Sequence, residues 1–478
     1  MNLVTTHITL IAAFLPPQLA LFLTLAFIVF LFRRDIRERP NVSGALWLPL
    51  IWLVLGCSRP VSTWLHIFGL PVIGGVSNEA GSPVDALFHY AMLTAGLLIL
   101  INRQVSLSEV LQRNGWIVAF TAYSFISIVW SDDPLITFKR CTKLFLHPVM
   151  ALIILTEPDF EEALTQLMKR CAYVVVPISI LFIRYYSLGT SYDEESGMPF
   201  ITGISGGKNG LGMDCLILGL FFFWHLLQTW RTERNTQRRN ELWLIAGFLI
   251  GILYLLRLAN SATSAISLLV AILIIVFVGI RPTIKNFIGT YTLAALVLIA
   301  AAELTFGISA HLSEGLGRGS TLTGRTDLWA RCLEVQSSPI LGEGFESFWM
   351  EKRRAKVAEA FHSRVPPGGA HNSYLDIYLD LGLIGLSILI GLFIATFWKI
   401  RLEFFRNFEW GRCRLAFFVA VLLRGLTESM FTTGSPLWFV FYIIAMDYPL
   451  THLEAARPSV WAARSQESRE FAYPKEET

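Results

Sequence analysis

Charge is what this chain has least of. Only 16% of its 478 residues are Asp, Glu, Lys or Arg, against 54% from the set AVILMFWYC, where a soluble domain carries about 25% and about 45–50%. That shortfall excludes an ordinary soluble enzyme. The six cysteines, at 57, 141, 171, 215, 332 and 413, show no C-x-x-C spacing, so neither a zinc site nor a disulfide framework is expected. Tandem repeats and low-complexity tracts are missing, and so are paired broken helices in the two halves, which speaks against a secondary transporter. No basic segment precedes the first apolar run, which therefore reads as a span and not as a cleaved signal. The net charge of +3 favours neither nucleic acid nor an anionic surface.

What the chain has instead is apolar runs of spanning length. They place spans near 9–32, 43–57, 85–101, 115–130, 141–156, 171–186, 208–228, 241–256, 262–280, 286–306, 373–398, 415–432 and 437–450. The expected fold is an all-α polytopic membrane protein of 12–13 helices: N-terminal spans over 1–306, a large outward loop over 307–372, C-terminal spans over 373–450 and a tail over 451–478. Alternate loops hold 23 of the 39 lysines and arginines, including Arg33, Arg34, Lys169, Arg170, Arg231, Lys399 and the tail. Positive-inside bias makes that side, with the C-terminus, cytoplasmic. The 307–372 loop then faces outward, with amphipathic stretches and eight basic residues. Long loops cross regardless of charge, so the charge is either incidental or answers an anionic substrate.

His371-Asn372 stands where that loop meets a span, followed by nine residues, Gly382 and Gly385. Two readings are open. An imidazole there suits proton abstraction from a hydroxyl, and His-Asn-Ser also suits a helix cap. Arg325, in the run GRTDLW, suits a diphosphate through its forked donors, or pairs with Asp327 or Glu334. Ionisable residues within spans need partners or water; they are Arg424 with Glu428, four apart and read as a pair on one helix face, Glu303, and Lys208 with Asp214. GGKNGLG lacks phosphate-loop spacing. Ser131-Asp132-Asp133-Pro134 reads as a helix-ending turn, and Lys139, Arg140 and Lys143 after it as a basic stretch able to meet lipid phosphate. The glycines of PILGEGF read as serving backbone geometry.

Taken in order, WSDDP, GGKNGLG, SATS, GRTDLW, PILGEGF, AHNSYLDIYLDLGLIGL and GLTESMF resemble the O-antigen ligase and Wzy polymerase superfamily, over roughly residues 120 to 440, and within it the ExoQ-like exopolysaccharide polymerases. The resemblance implies a GT-C-like bacterial inner-membrane glycosyltransferase acting at the periplasmic face on undecaprenyl-diphosphate-linked sugars, inverting, with no cofactor or metal. It implies His371 as catalytic base and Arg325 as diphosphate ligand, with Asn372, Arg424 and Glu428 in support. Relatives often carry an Arg between the Ser and Thr of SATS, where this chain has Ala262; Arg257, Lys208 or Arg140 would replace it. The implied partners are the lipid-linked glycan donor, a glycan acceptor, membrane lipid, a flippase and a chain-length regulator, and no nucleic acid. Polymerase is the preferred activity, with ligation to lipid A-core or protein as the alternative and a lipid-linked sugar transporter as a third.

Overall fold

A computed structural model of the chain describes residues 15–38, 42–72, 81–193, 197–280, 321–360 and 367–448. The expected span 286–306 with Glu303, the loop residues 307–320 and the tail over 451–478 lie outside the described residues.

The described chain is helical: α1 (Pro17–Glu38), α2 (Trp47–Gly56), α3 (Val61–Ile67), α4 (Pro83–Asn102), α5 (Leu107–Arg113), α6 (Gly115–Ile126), α7 (Pro134–Leu155), α8 (Phe160–Tyr185), α9 (Lys208–Arg231), α10 (Thr236–Ala259), α11 (Ala262–Ile280), α12 (Thr321–Val335), α13 (Glu351–Ala360), α14 (Ser373–Arg406), α15 (Phe408–Gly425) and α16 (Pro436–Ala445). A two-stranded hairpin, β1 (Thr190–Tyr192) and β2 (Pro199–Ile201), joins α8 to α9. This is an all-α polytopic membrane protein. Among the described residues six helices are long and apolar enough to cross a bilayer: α4, α8, α9, α10, α11 and α14; α2 and α3, bent by 69°, make a seventh if read as one broken span. Large apolar side chains such as Phe22, Trp243, Ile250 and Phe277 are exposed on α1, α10 and α11, as a lipid-facing surface requires.

Several expected spans have different bounds. α8 begins at Phe160, capped by Asp159, so Lys169 and Arg170 lie inside the helix and not in a loop. They stay there because they are paired: Arg170 with Asp35 at 2.7 Å and Lys169 with Glu241 at 2.7 Å. The expected 415–432 span ends at Gly425, because the next residues are held to another element. The expected span over 437–450 is a ten-residue helix buried throughout.

Polar contacts gather at the two ends of the bundle. One end holds the Asp35 network, Arg103 with Glu157, Arg231 with Glu409, and Arg414 with Asp447. The other end collects the motifs singled out in the sequence, and α12 and α13 cover it.

Candidate active site

The site is built around a broken helix. α14 starts under an Asn372 cap, whose Oδ1 accepts the N–H groups of Tyr374 and Leu375 at 3.0 and 3.2 Å. Nine residues later Gly382 leaves helical geometry at φ 65°. The break is closed by the PILGEGF turn: Leu383 N–H donates to the Pro339 carbonyl at 2.9 Å, and the Gly344 N–H to the Asp380 carbonyl at 2.8 Å. A Cβ on Gly382 would lie 2.2 Å from the Ile340 oxygen, so this position needs glycine. Gly342 and Gly344 also have positive φ, as expected for a backbone role. The PILGEGF turn thus docks onto α14 where the helix breaks at Gly382.

His371, one residue ahead of the cap, has a left-handed backbone, φ 51°. Its N–H donates to Ser429 Oγ at 3.0 Å, and its side chain is 47% exposed. Strain of this kind persists only when neighbours over-determine it. Here Trp329 Nε1 donates to the Ala370 carbonyl at 2.7 Å, while Ser373 Oγ donates to the Glu428 carbonyl at 2.6 Å and accepts the Met430 N–H at 2.8 Å. Asn372 therefore serves as the helix cap, and the His371 imidazole is left half-exposed.

His371 Nδ1 lies 3.5 Å from Glu428 Oε2, at the outer limit of a hydrogen bond. The other Glu428 oxygen accepts Asn209 Nδ2 at 2.9 Å. Burial alone would raise the Glu428 carboxyl, but His371, Arg424 and Arg325 hold it below its ordinary value. Arg325 reaches the same place from α12, donating through Nη1 to the Thr427 carbonyl at 3.1 Å; Glu334, one of its proposed partners, pairs with Arg331 instead.

The Arg424–Glu428 helix-face pair is corrected by the structure. The helix stops at Gly425, Glu428 lies in the following connection, and the Arg424 guanidinium donates to Thr263 Oγ1 and, at 2.8 Å, to the Asn209 carbonyl. Arg424 is 1% exposed and ties GGKNGLG to SATS. It brings a buried guanidinium to the motif where Ala262 stands. Gly212 permits this close approach, since a Cβ there would lie 2.6 Å from Ser261 and Ser264.

Arg325, Arg424, Glu428, Asn372 and His371 are thus assembled together. Lys208 is next to Asn209 but exposed, its Nζ 5.7 Å from the Phe200 ring, while Asp214 accepts Ser205 Oγ. Arg257 is exposed on the last turn of α10, and among the described residues no contact joins its guanidinium to the group. Arg140 is held by the Glu346 carbonyl and carboxylate beside a separate cavity. Asp133 caps α7 through the Ile136 N–H at 3.1 Å, so WSDDP starts a helix as well as following one. Sequence reasoning missed Asn209, Thr263 and Ser429; the signal for Asn209 was its place beside Lys208 in GGKNGLG. All six thiols are free and buried, and burial pushes Cys332 up to about 12. Among the described residues no three His, Cys, Asp or Glu side chains stand together as metal ligands.

Residues 246–390 match the O-antigen ligase family, a stretch holding SATS, Arg325, the PILGEGF turn and His371. The chain is also 29% identical over 295 residues to the exopolysaccharide production protein ExoQ of Rhizobium meliloti (strain 1021), covering 59% of this chain and 64% of that protein. The match therefore spans a little under two thirds of the relative's length. The chain is a multi-pass membrane protein in which residues 246–390, His371 among them, match the O-antigen ligase family.

Proposed function

We propose that the protein is an inner-membrane glycosyltransferase that polymerises undecaprenyl-diphosphate-linked oligosaccharide units at the periplasmic face. The observation that carries this reading is the meeting of His371, Glu428 and Arg325 at one end of the bundle. The imidazole turns Nδ1 toward a carboxylate, which leaves Nε2 as the proton acceptor, the arrangement that orients and charges a general base. The acceptor hydroxyl attacks the anomeric carbon from the face opposite the leaving group. Its oxygen forms the new glycosidic bond, its proton passes to His371 Nε2, and the carbon–oxygen bond to the lipid diphosphate breaks with both electrons on the diphosphate. The anomeric centre inverts. Arg325 and the exposed Lys208 supply the positive charge that the leaving diphosphate needs, so the reaction is written without a metal. The polymerase reading is favoured by similarity to a protein named for exopolysaccharide production.

The test uses full-length protein in liposomes with lipid-diphosphate-linked repeat units, comparing wild type, His371→Ala and Arg325→Ala with and without EDTA. Growing glycans in wild type, insensitive to EDTA and lost in both folded variants, support the proposal. Activity that begins only when lipid A-core is added assigns the protein to ligation. Undiminished chain growth in His371→Ala refutes the assigned base.

A further inference from the structure

A cavity of about 670 Å³ lies between α2, α4, α7 and the loop after α15, lined by Gly369 and Ser429 close to His371. Ser429 belongs to both places: it lines the cavity and accepts the His371 N–H at 3.0 Å. The wall mixes aromatic faces, Trp52, Tyr90 and Trp349, with hydroxyls, carboxylates and four cations, Lys139, Arg140, Lys143 and Arg354.

The polar groups are unequally satisfied. Asp85 accepts the Ser62 N–H and O–H, Asp380 accepts the Phe348 N–H, and Asp376 accepts from Trp349 and the Ala370 N–H. Glu346 takes Arg140 and the Thr433 N–H, and Arg354 donates to the Pro367 carbonyl. Asp376 Oδ2 and His147 Nε2 have no hydrogen-bond partner among the described residues, and of the four cations Lys139 and Lys143 remain. They are one turn apart on α7 and line the same wall, and among the described residues neither has a hydrogen bond or ion pair with protein. Lys143 Nζ is 3.8 Å from where a Cβ on Gly434 would stand, directly against the connection that carries Glu428. Like charges four apart on a helix repel; Glu346 and Asp85 act on Lys143 across the cavity without hydrogen-bonding it, and an ammonium whose donors are unmet is costly inside a bundle. Two such lysines facing one cavity are matched by an anion that enters it.

We infer that this cavity is a subsite for a carboxylate-bearing sugar of the glycan, with Lys143 and Lys139 binding the carboxylate. The inference rests on the glycan-transfer reading above and names its substrate class. The lining selects among anions. A phosphate asks for donors alone, whereas this wall alternates donors and acceptors and offers ring faces to C–H surfaces, as a polyhydroxylated ring with one acidic substituent requires. The volume falls within the range of small-ligand sites, about 300–1,000 Å³. Because the cavity meets the site at Ser429, a sugar seated there leads its neighbour toward His371.

The experiment measures binding, which needs no turnover. Full-length protein in nanodiscs is titrated with the oligosaccharide released by mild acid from the host's own lipid-linked pool. A second arm uses the same oligosaccharide with its carboxylates reduced to alcohols, and a third uses undecaprenyl monophosphate. Wild type should bind the acidic sugar about tenfold or more tightly than the reduced one, the scale of one charge-assisted hydrogen bond. Lys143→Gln should lose that preference, Lys143→Arg should restore most of it, and thermal melting should show both folded. Equal binding of acidic and reduced sugars by wild type overturns the inference, as does a host oligosaccharide that carries no carboxylate. Displacement of the acidic sugar by the lipid phosphate, with loss of phosphate binding in Lys143→Gln, would make this a lipid site and also overturns it. His371→Ala should bind like wild type. If His371→Ala still polymerises, the proposed base fails while the carboxylate preference stands on its own measurement.

Discussion

Replacing Glu428 by Gln keeps the shape of the site and removes its charge. One Glu428 oxygen accepts Asn209 Nδ2, which an amide oxygen can also do; the other faces His371 Nδ1 at 3.5 Å, where Gln would present a donor to a donor. In the proposed transfer His371 becomes an imidazolium, which the carboxylate would stabilise. At that separation the attraction is about 1 kcal/mol in bulk water and about 5 kcal/mol at an effective dielectric of about 20. The imidazole is 47% exposed, which weights the estimate toward the lower bound, so about 2 kcal/mol is expected, or roughly 30-fold in kcat. The KM for the lipid-linked donor should change little, because Arg325 is untouched. A second consequence is structural: Arg424 is buried and draws part of its compensation from Glu428, so melting temperature should fall as well. The assay is initial chain growth in liposomes over a range of temperatures, beside melting curves. A kcat loss that persists well below the variant's melting transition supports the orienting role. Full activity in folded Glu428→Gln, or a loss that vanishes on cooling, refutes it.

Acid stability gives a second test. Glu428 is held below its ordinary 4.5 in the folded protein, so the stability it contributes is complete above about pH 4.5 and is lost as pH falls through the lower folded value; Glu428→Gln should flatten that acid limb, and an unchanged melting profile between pH 5 and 3 would contradict the pairing. Gly382→Ala should cost more than the roughly 1–2 kcal/mol of a left-handed non-glycine residue, since its Cβ meets the Ile340 carbonyl, and should loosen the docked turn; protease protection of the 339–345 turn equal to wild type would count against this. At the opposite end, Asp35→Ala strands Arg170, while Lys169 keeps Glu241, and breaking a buried pair costs about 3–5 kcal/mol. The double variant Asp35→Ala/Arg170→Met should recover part of that in melting experiments; simple additivity of the two single changes would show that the pair is not coupled.

Much of this molecule could be read one residue at a time. Low charge and long apolar runs require a lipid solvent, because a chain burying so many apolar groups without polar cover has no other stable environment. His371 and Arg325 were visible because their residue types stand at helix boundaries in an otherwise apolar chain. PILGEGF was read correctly as geometry, since glycine clusters announce backbone need whatever the partner is. The helix-face pairing of Arg424 with Glu428 failed because local spacing assumes that the helix continues, and α15 stops three residues before Glu428. Arg140 was grouped with the diphosphate ligands on charge alone, yet its neighbour is Glu346, far away in the chain.

The sequence by itself thus determined the solvent and most helices, which follow from composition and short spacings, and it singled out His371 and Arg325 as candidates for the proposed chemistry. Tertiary structure decided what each of those side chains faces. Glu428 meets His371 from 57 positions away and Arg325 reaches the Thr427 carbonyl across 102. Separations of that size leave no periodic trace in a sequence: they are set by how helices pack and where α14 breaks, and the break is fixed by a carbonyl of the docked turn against a residue without a Cβ.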